Sequence, residues 1–358
     1  MNEFRVLRPL VCSFLLASLT AAAPPGGRDQ TGTELKKGVR VLPRSFSVTP
    51  DGRYAAFMEL KLDPATRSPT TVGWLLELPS GKMTDVSSFL GPQVSDGKPM
   101  CSAPIPSPDG RYIVFTAYRP SGMTTYLVGL EDGKVRQLAP GRFTIPVWAG
   151  PKVALSVVDA AGMLAPISLY GLDGAEPTQL KVRGLVVAAD VDGKLLICAC
   201  DPDKPSEPIS MGALQSKAIA LLNAKGQVIK QLARGRTIGV RPVFSPNGEY
   251  LAFQSGEVAP GRTAPPKGIR VDVMAVRGEE QWTIREQAEP VAIMDDGALV
   301  TLGTTPGPDG VPVKIWDKGG TSSRPITRAH AAAVAGGRLY YVTGTDPQVI
   351  KSMPLTRP

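Results

Sequence analysis

The chain has 358 residues, 42% of them hydrophobic, with 38 Gly, 35 Pro and a formal net charge of +8. That length can bury a sizeable core, and the heavy load of turn formers, without a long apolar run or a G-X-Y period, excludes a membrane bundle and collagen. One histidine and four cysteines leave little for zinc or copper chemistry.

The first element is a leader. Arg5 and Arg8 precede the apolar stretch Leu10–Leu19, and Thr20 to Ala23 are small. This pattern predicts a secretory signal peptide over 1–23 and export to the periplasm or the medium. About ten apolar residues are too few for a bilayer, which needs about twenty, and no other segment is long enough to span one. A flexible Pro/Gly-rich segment is expected over 24–34, then a propeller-type domain over 35–358. Three cysteines remain after the leader, Cys101, Cys198 and Cys200. Cys198 and Cys200 alternate on one strand and share a face, as buried core thiols do.

Strands follow in a repeating order. LKKGVRVL (35–42) reads as a lone strand. SVTPDGRYAAF (47–57) then returns as IPSPDGRYIVF (105–115) and VFSPNGEYLAF (243–253). Pro presets φ, Asp or Asn tolerates the next position and Gly closes the turn, so each copy predicts a β-hairpin. A second hairpin follows each first one, around Ser80-Gly81, Asp132-Gly133 and Lys225-Gly226. Two hairpins in series make a four-stranded antiparallel sheet, the blade of a β-propeller. Weaker copies fill the gaps, and blades start near 45, 103, 143, 185, 239, 288 and 329. The predicted fold is therefore an all-β, seven-bladed β-propeller, six or eight blades being the other counts. The last blade has three strands of its own, so the strand at 35–42 is expected to complete it and close the ring.

The Ser-Pro-Asp-Gly-Arg-Tyr-x-x-Phe pattern, complete at Ser107–Phe115, close to complete at Ser245–Gly248, and with Thr49 for Ser in the first copy, resembles the WD40-like repeats of TolB-type propellers. Similar repeats form the propeller half of prolyl-oligopeptidase-like enzymes. The resemblance covers essentially the whole chain after the leader and implies architecture rather than activity. Neither the small α/β domain that precedes the propeller in TolB proteins nor a hydrolase domain after it is expected here.

Chemistry is thinly written. There is no G-x-S-x-G elbow for a serine nucleophile, and His330 is the lone histidine. Asp159, Asp190, Asp201 and Asp295 lie near strand ends, where a carboxylate pair or a calcium ion would be the remaining catalytic options. A metal or organic cofactor is not otherwise expected.

Geometry is more informative. The turns between first and second strands, and between third and fourth, share one side of the disc and are tight. The second-to-third connections emerge on the other side and are long: 61–70, 201–217, 256–268 and 303–311. Rigid scaffolds concentrate function on such loops. The expected binding surface is this long-connection side and the central funnel, with Arg119, Asp201, Lys204, Arg262 and Lys267 supplying charge and Trp74 and Trp282 apolar support. The expected function is non-catalytic recognition by a monomer of a protein or cell-envelope polymer, acidic given the +8 charge. Nucleic acid is not expected, because no basic run is interleaved with aromatics. The alternative is a propeller enzyme, either a carboxylate-based glycoside hydrolase or a calcium-dependent lactonase-like hydrolase.

Overall fold

Hydrogen bonding inside the repeated turn explains why the strands come in pairs. Thr49, Ser107 and Ser245 are buried. Each hydroxyl accepts the N–H of the tyrosine five residues on, all at 2.9 Å. The same hydroxyls donate to Asp51, Asp109 and Asn247 at 2.5, 2.6 and 2.7 Å. Gly52, Gly110 and Gly248 close the turns at φ 71°, 69° and 70°, a region that a β-carbon disfavours. The outgoing strands then bury Phe57 and Phe115 completely and leave Phe253 4% exposed, about 2–3 kcal/mol for each ring.

The protein was analysed as a computed structural model that describes residues 32–62, 69–91, 100–119, 122–210, 213, 218–233, 236–238, 242–257, 267–305, 307 and 309–356. The expected leader over 1–23 lies outside the described residues, as does most of the segment expected at 24–34.

The described chain is all-β apart from one 3-10 turn and a single helical residue. Strand β1 (Thr33–Val39) comes first. One sheet holds β2 (Ser47–Val48), β3 (Tyr54–Leu62), β4 (Pro69–Glu77) and β5 (Lys82–Asp85). The next holds β6 (Met100–Cys101), β7 (Ile105–Pro106), β8 (Tyr112–Arg119), β9 (Gly122–Gly129) and β10 (Val135–Gly141). A seven-stranded sheet follows, running in sequence order through β11 (Phe143–Ala149), β12 (Lys152–Val158), β13 (Pro166–Gly171), β14 (Thr178–Ala189), β15 (Leu195–Cys200), β16 (Ala218–Asn223) and β17 (Val228–Ala233). Then come β18 (Arg236–Ile238), β19 (Val243–Phe244), β20 (Tyr250–Glu257), β21 (Lys267–Ala275) and β22 (Gln281–Ile284) in one sheet. Another contains β23 (Ala288–Ile293), β24 (Leu299–Gly303), β25 (Val311–Trp316) and β26 (Ser323–Ala329). The last contains β27 (Ala331–Ala335), β28 (Arg338–Thr343) and β29 (Gln348–Pro354), with β1 on its outer side in the order β1-β29-β28-β27.

Every strand pair is antiparallel, and the long β14 pairs with β13 through its first half and with β15 through its second. Strand β1 starts at Thr33, two residues before the expected start, and pairs Thr33 with Ser352 and Val39 with Gln348. Neighbouring sheets pack face to face. Phe57 and Leu76 meet Val342 and Ile350, Ile197 and Leu221 meet Leu251 and Phe253, and Val273 meets Leu299. Their first turns also touch. The Asn247 N–H donates to Asp295 at 2.9 Å, and a β-carbon on Gly110 would sit 3.1 Å from the Asp51 carboxylate. Cys101, Cys198 and Cys200 are buried thiols, and burial pushes the Cys198 thiol well up from its ordinary value.

Candidate functional site

The first strands of several sheets converge on one cavity of about 320 Å³. It is lined by Phe46 and Val48 beside β2, Val187 of β14, Val243 of β19, Val291 of β23 and Ala333 of β27, among others. Strands far apart in sequence line this one space, which matches the axial funnel of the β-propeller expected from the sequence. Its walls are mainly apolar because the strands that line it carry Val and Ala there, beside Phe46 and Leu302.

Among the described lining residues, Arg44 and Glu289 are the charged ones. Arg44 Nε lies 2.9 Å from Glu289 Oε2, with the Arg44 side chain 38% exposed and that of Glu289 9% exposed. The turn Leu42–Ser45 places Arg44. Ser45 donates to the Leu42 carbonyl through its N–H at 3.2 Å and through its hydroxyl at 2.7 Å. Arg44 thereby sits at φ 64°, the only non-glycine with positive φ among the described residues. Left-handed backbone costs such a residue about 1–2 kcal/mol, and strain of this kind concentrates at functional sites. Glu289 sits opposite Leu302, next to the Ala288–Gly303 pair where β24 enters its connection to β25. The ion pair therefore occupies the long-connection side of the funnel.

The residues expected at the site are placed separately. Arg119 ends β8, opposite Gly122. Its Nη2 donates to Tyr126 Oη at 3.3 Å, while its buried Nε has no partner among the described residues. Asp201 follows β15 and accepts the Asp203 N–H at 3.2 Å. Lys204 pairs with Glu207 at 3.0 Å. Lys267 opens β21 and is exposed. Arg262 lies outside the described residues. Trp74 donates from Nε1 to Glu59 at 2.7 Å, and Lys61 Nζ stands 4.7 Å over its ring. Trp282 is on the wrong side for the expected surface. Its ring meets Gly297 and Gly320 at tight turns of the next sheet, and Tyr250 at 5.7 Å edge to face. As the second residue of β22, it necessarily sits beside the tight turn that feeds that strand. Among the described residues, none of these lines the funnel.

The connection at 201–217 also behaves differently from a displayed loop. The Arg183 N–H donates to Pro205 O at 2.8 Å, and the Leu164 N–H to Ile209 O at 3.0 Å. Ile209 is buried with Val158 and Leu164. Its described part is a staple across two four-strand groups. The loop residues 63–68 and 258–266 lie outside the described residues.

The candidate carboxylates serve backbone geometry. Asp159 accepts the Met163 N–H at 2.9 Å, Asp190 the Leu195 N–H at 2.9 Å, and Asp295 the Asn247 N–H at 2.9 Å. Asp190, 6% exposed, stands where the other turns have a hydroxyl, and burial pushes its carboxyl above the ordinary range. His330 donates its backbone N–H to Val342 at 2.7 Å. Its buried Nε2 has no partner among the described residues, and burial holds the imidazole below its usual value. Among the described residues no three His, Cys, Asp or Glu side chains gather as a metal would need, and no helix is long and apolar enough to cross a membrane.

Arg44 and Glu289 carry no motif in the sequence. They become neighbours only through the arrangement of the sheets, and the one local signal, a non-glycine in left-handed backbone, is itself structural.

No family profile matches the chain. It is 23% identical over 234 residues to the uncharacterized peptidase YuxL of Bacillus subtilis (strain 168), an alignment covering 62% of this chain and 31% of that one. The chain thus spans about a third of that relative's length. A chain of the mitotic checkpoint complex superposes with a TM-score of 0.58 at 12% identity, covering 96% of this chain and 98% of the other. The β-propeller domain of the Trilobed protease from Pyrococcus furiosus, described as having an open velcro topology, gives 0.57 at 11% identity, covering 89% and 96%. These likenesses establish the fold of this chain as a β-propeller.

Proposed function

We propose that the chain is an exported, TolB-like propeller of seven blades that recognises a ligand or partner without chemistry, through its central funnel and long-connection side. The observation that carries this reading is the funnel itself, an aliphatic cavity with one preformed ion pair held on strained backbone. A preorganised polar pair in an apolar recess is the usual construction of a small-ligand site.

Dividing the seven-stranded sheet at β14, whose first half pairs with β13 and second half with β15, supports a count of seven blades. Pairing of β1 with β29 supports closure of the ring. The turn grammar supports TolB-like repeats, and the N-terminal leader supports export and a periplasmic or extracellular setting.

The relation to a peptidase favours a second reading, a propeller enzyme, in which Glu289 would be the funnel's carboxylate. One experiment separates the two. Ligand binding is followed by calorimetry while lactone, glycoside and peptide substrates are tested for turnover, with and without calcium. Recognition predicts saturable binding without turnover, abolished when Ala333→Trp fills the funnel. Turnover by the parent protein would establish the enzyme instead, and its loss in a Glu289→Gln variant that keeps the parent's circular dichroism spectrum would assign the carboxylate.

A further inference from the structure

The accessible charge in the funnel has a sign. Glu289 is the buried partner and Arg44 the exposed one, at 9% and 38% side-chain exposure, so a ligand entering from the long-connection side meets the guanidinium. The ion pair engages Arg44 through Nε. The terminal Nη atoms carry further donors, in the planar fork that matches a carboxylate.

Local charge also limits the ligand. Glu289 already offsets Arg44, and no other charged residue among those described lines the cavity. A monoanion adds one negative charge there, whereas a phosphate dianion would bring a second one close to the buried Glu289. The walls set the remainder: Val48, Val187, Val243, Val291 and Ala333 offer aliphatic surface. A cavity of about 320 Å³ stands at the small end of the range for ligand pockets, about 300–1,000 Å³.

We propose that the funnel binds an aliphatic carboxylate, with the carboxylate on the Arg44 fork and the apolar part against the valines and Ala333. The assignment rests on the funnel being the binding site. Glu289 is then a positioning residue, orienting the guanidinium instead of contacting the ligand. A free small acid and the C-terminus of a peptide present the same chemistry.

The test is calorimetry on the purified chain with four probes: N-acetyl-L-leucine, a neutral hexapeptide acid ending in leucine, its C-terminal amide, and L-leucinamide. One or both acids should bind saturably below about 10 mM, and neither amide should. Binding of N-acetyl-L-leucine marks a small acid as sufficient, whereas binding of the hexapeptide acid alone marks a chain terminus. Arg44→Lys keeps the charge but loses the fork, and should weaken binding at least about tenfold. The paired change Arg44→Gln with Glu289→Gln leaves no buried unpaired charge, so it should fold and bind neither acid.

The assignment is overturned by amides binding as tightly as acids, by undiminished binding in the paired variant, or by no binding of either acid. A ligand of another class whose binding is blocked by Ala333→Trp but indifferent to Arg44 would overturn the carboxylate assignment and leave the funnel reading standing.

Discussion

Replacing Asp190 by serine should make the protein more stable at neutral pH. In three other turns the equivalent residue is Thr49, Ser107 or Ser245, whose hydroxyl accepts an N–H at 2.9 Å. Asp190 makes the same contact to Leu195 at 2.9 Å, but as an acid buried to 6% exposure with Asp192 nearby raising its pKa further. The Asp190→Ser variant keeps the acceptor, adds a donor toward Asp192 and removes a desolvated charge. The gain expected for relieving such a group is on the order of 1 kcal/mol, or about 2 °C in Tm for a chain of this size. Its pH dependence identifies the cause. Burial raises the folded-state pKa, so the folded protein holds its proton over a range where the unfolded chain, near 3.9, has lost it. Stability attributable to Asp190 is therefore full in acid and falls as pH rises through that window. Thermal unfolding of both proteins, followed by circular dichroism from acid to neutral pH, should show curves that meet in acid and separate toward neutrality. Asp190→Ala, which leaves the Leu195 N–H unpartnered, should instead lose about 1–2 kcal/mol. A serine variant less stable than the parent at every pH would refute the equivalence of the turns.

The buried hydroxyl itself is testable: Ser107→Ala removes the oxygen that accepts the Tyr112 N–H and the hydroxyl that donates to Asp109, and should cost about 1–2 kcal/mol in urea unfolding, with m unchanged. His330 is held below its ordinary pKa by burial, so the unfolded chain takes up the proton first as pH falls. Its contribution is full above the unfolded value near 6.5 and is lost below it, and His330→Gln should flatten the Tm profile between about pH 5 and 7. Removing 32–42 strips β1 from β29 together with buried Val39 and Val41. Loss of those two side chains alone costs about 3 kcal/mol, and the bared β29 edge should show as concentration-dependent association in light scattering.

The fold was legible wherever it is local. Pro-Asp-Gly needs only its own neighbours to make a turn, so the three hairpins and their spacing could be read from the letters. Strand β1 was found because a three-stranded last group demands a partner, although its start was placed two residues late. The site was poorly legible because it is non-local. Arg119, Asp201, Lys204 and Lys267 are expected from charge on the long-connection side, and they lie at three different connections; the loop carrying Asp201 and Lys204 is tied down through Pro205 and Ile209. The position of Trp282 was recoverable from strand direction, since the second residue of a fourth strand must lie near its tight turn. Arg44 and Glu289 had no such route.

The funnel pair and the repeated turns illustrate opposite uses of polar groups. In the turns, each Asp or Asn is consumed by backbone donors one or two residues away, so its conspicuous repetition buys geometry and leaves nothing for a ligand. In the funnel, an arginine and a glutamate from distant elements are brought together where aliphatic walls raise the strength of any charge contact. Burying Glu289 against Arg44 requires that neither be lost singly, because the survivor would be an uncompensated charge. The same constraint makes the pair informative. If Arg44 served only to neutralise Glu289, replacing both by glutamine would change stability little and ligand binding not at all. If it also receives a carboxylate, the paired change separates folding from recognition, which neither single variant can do.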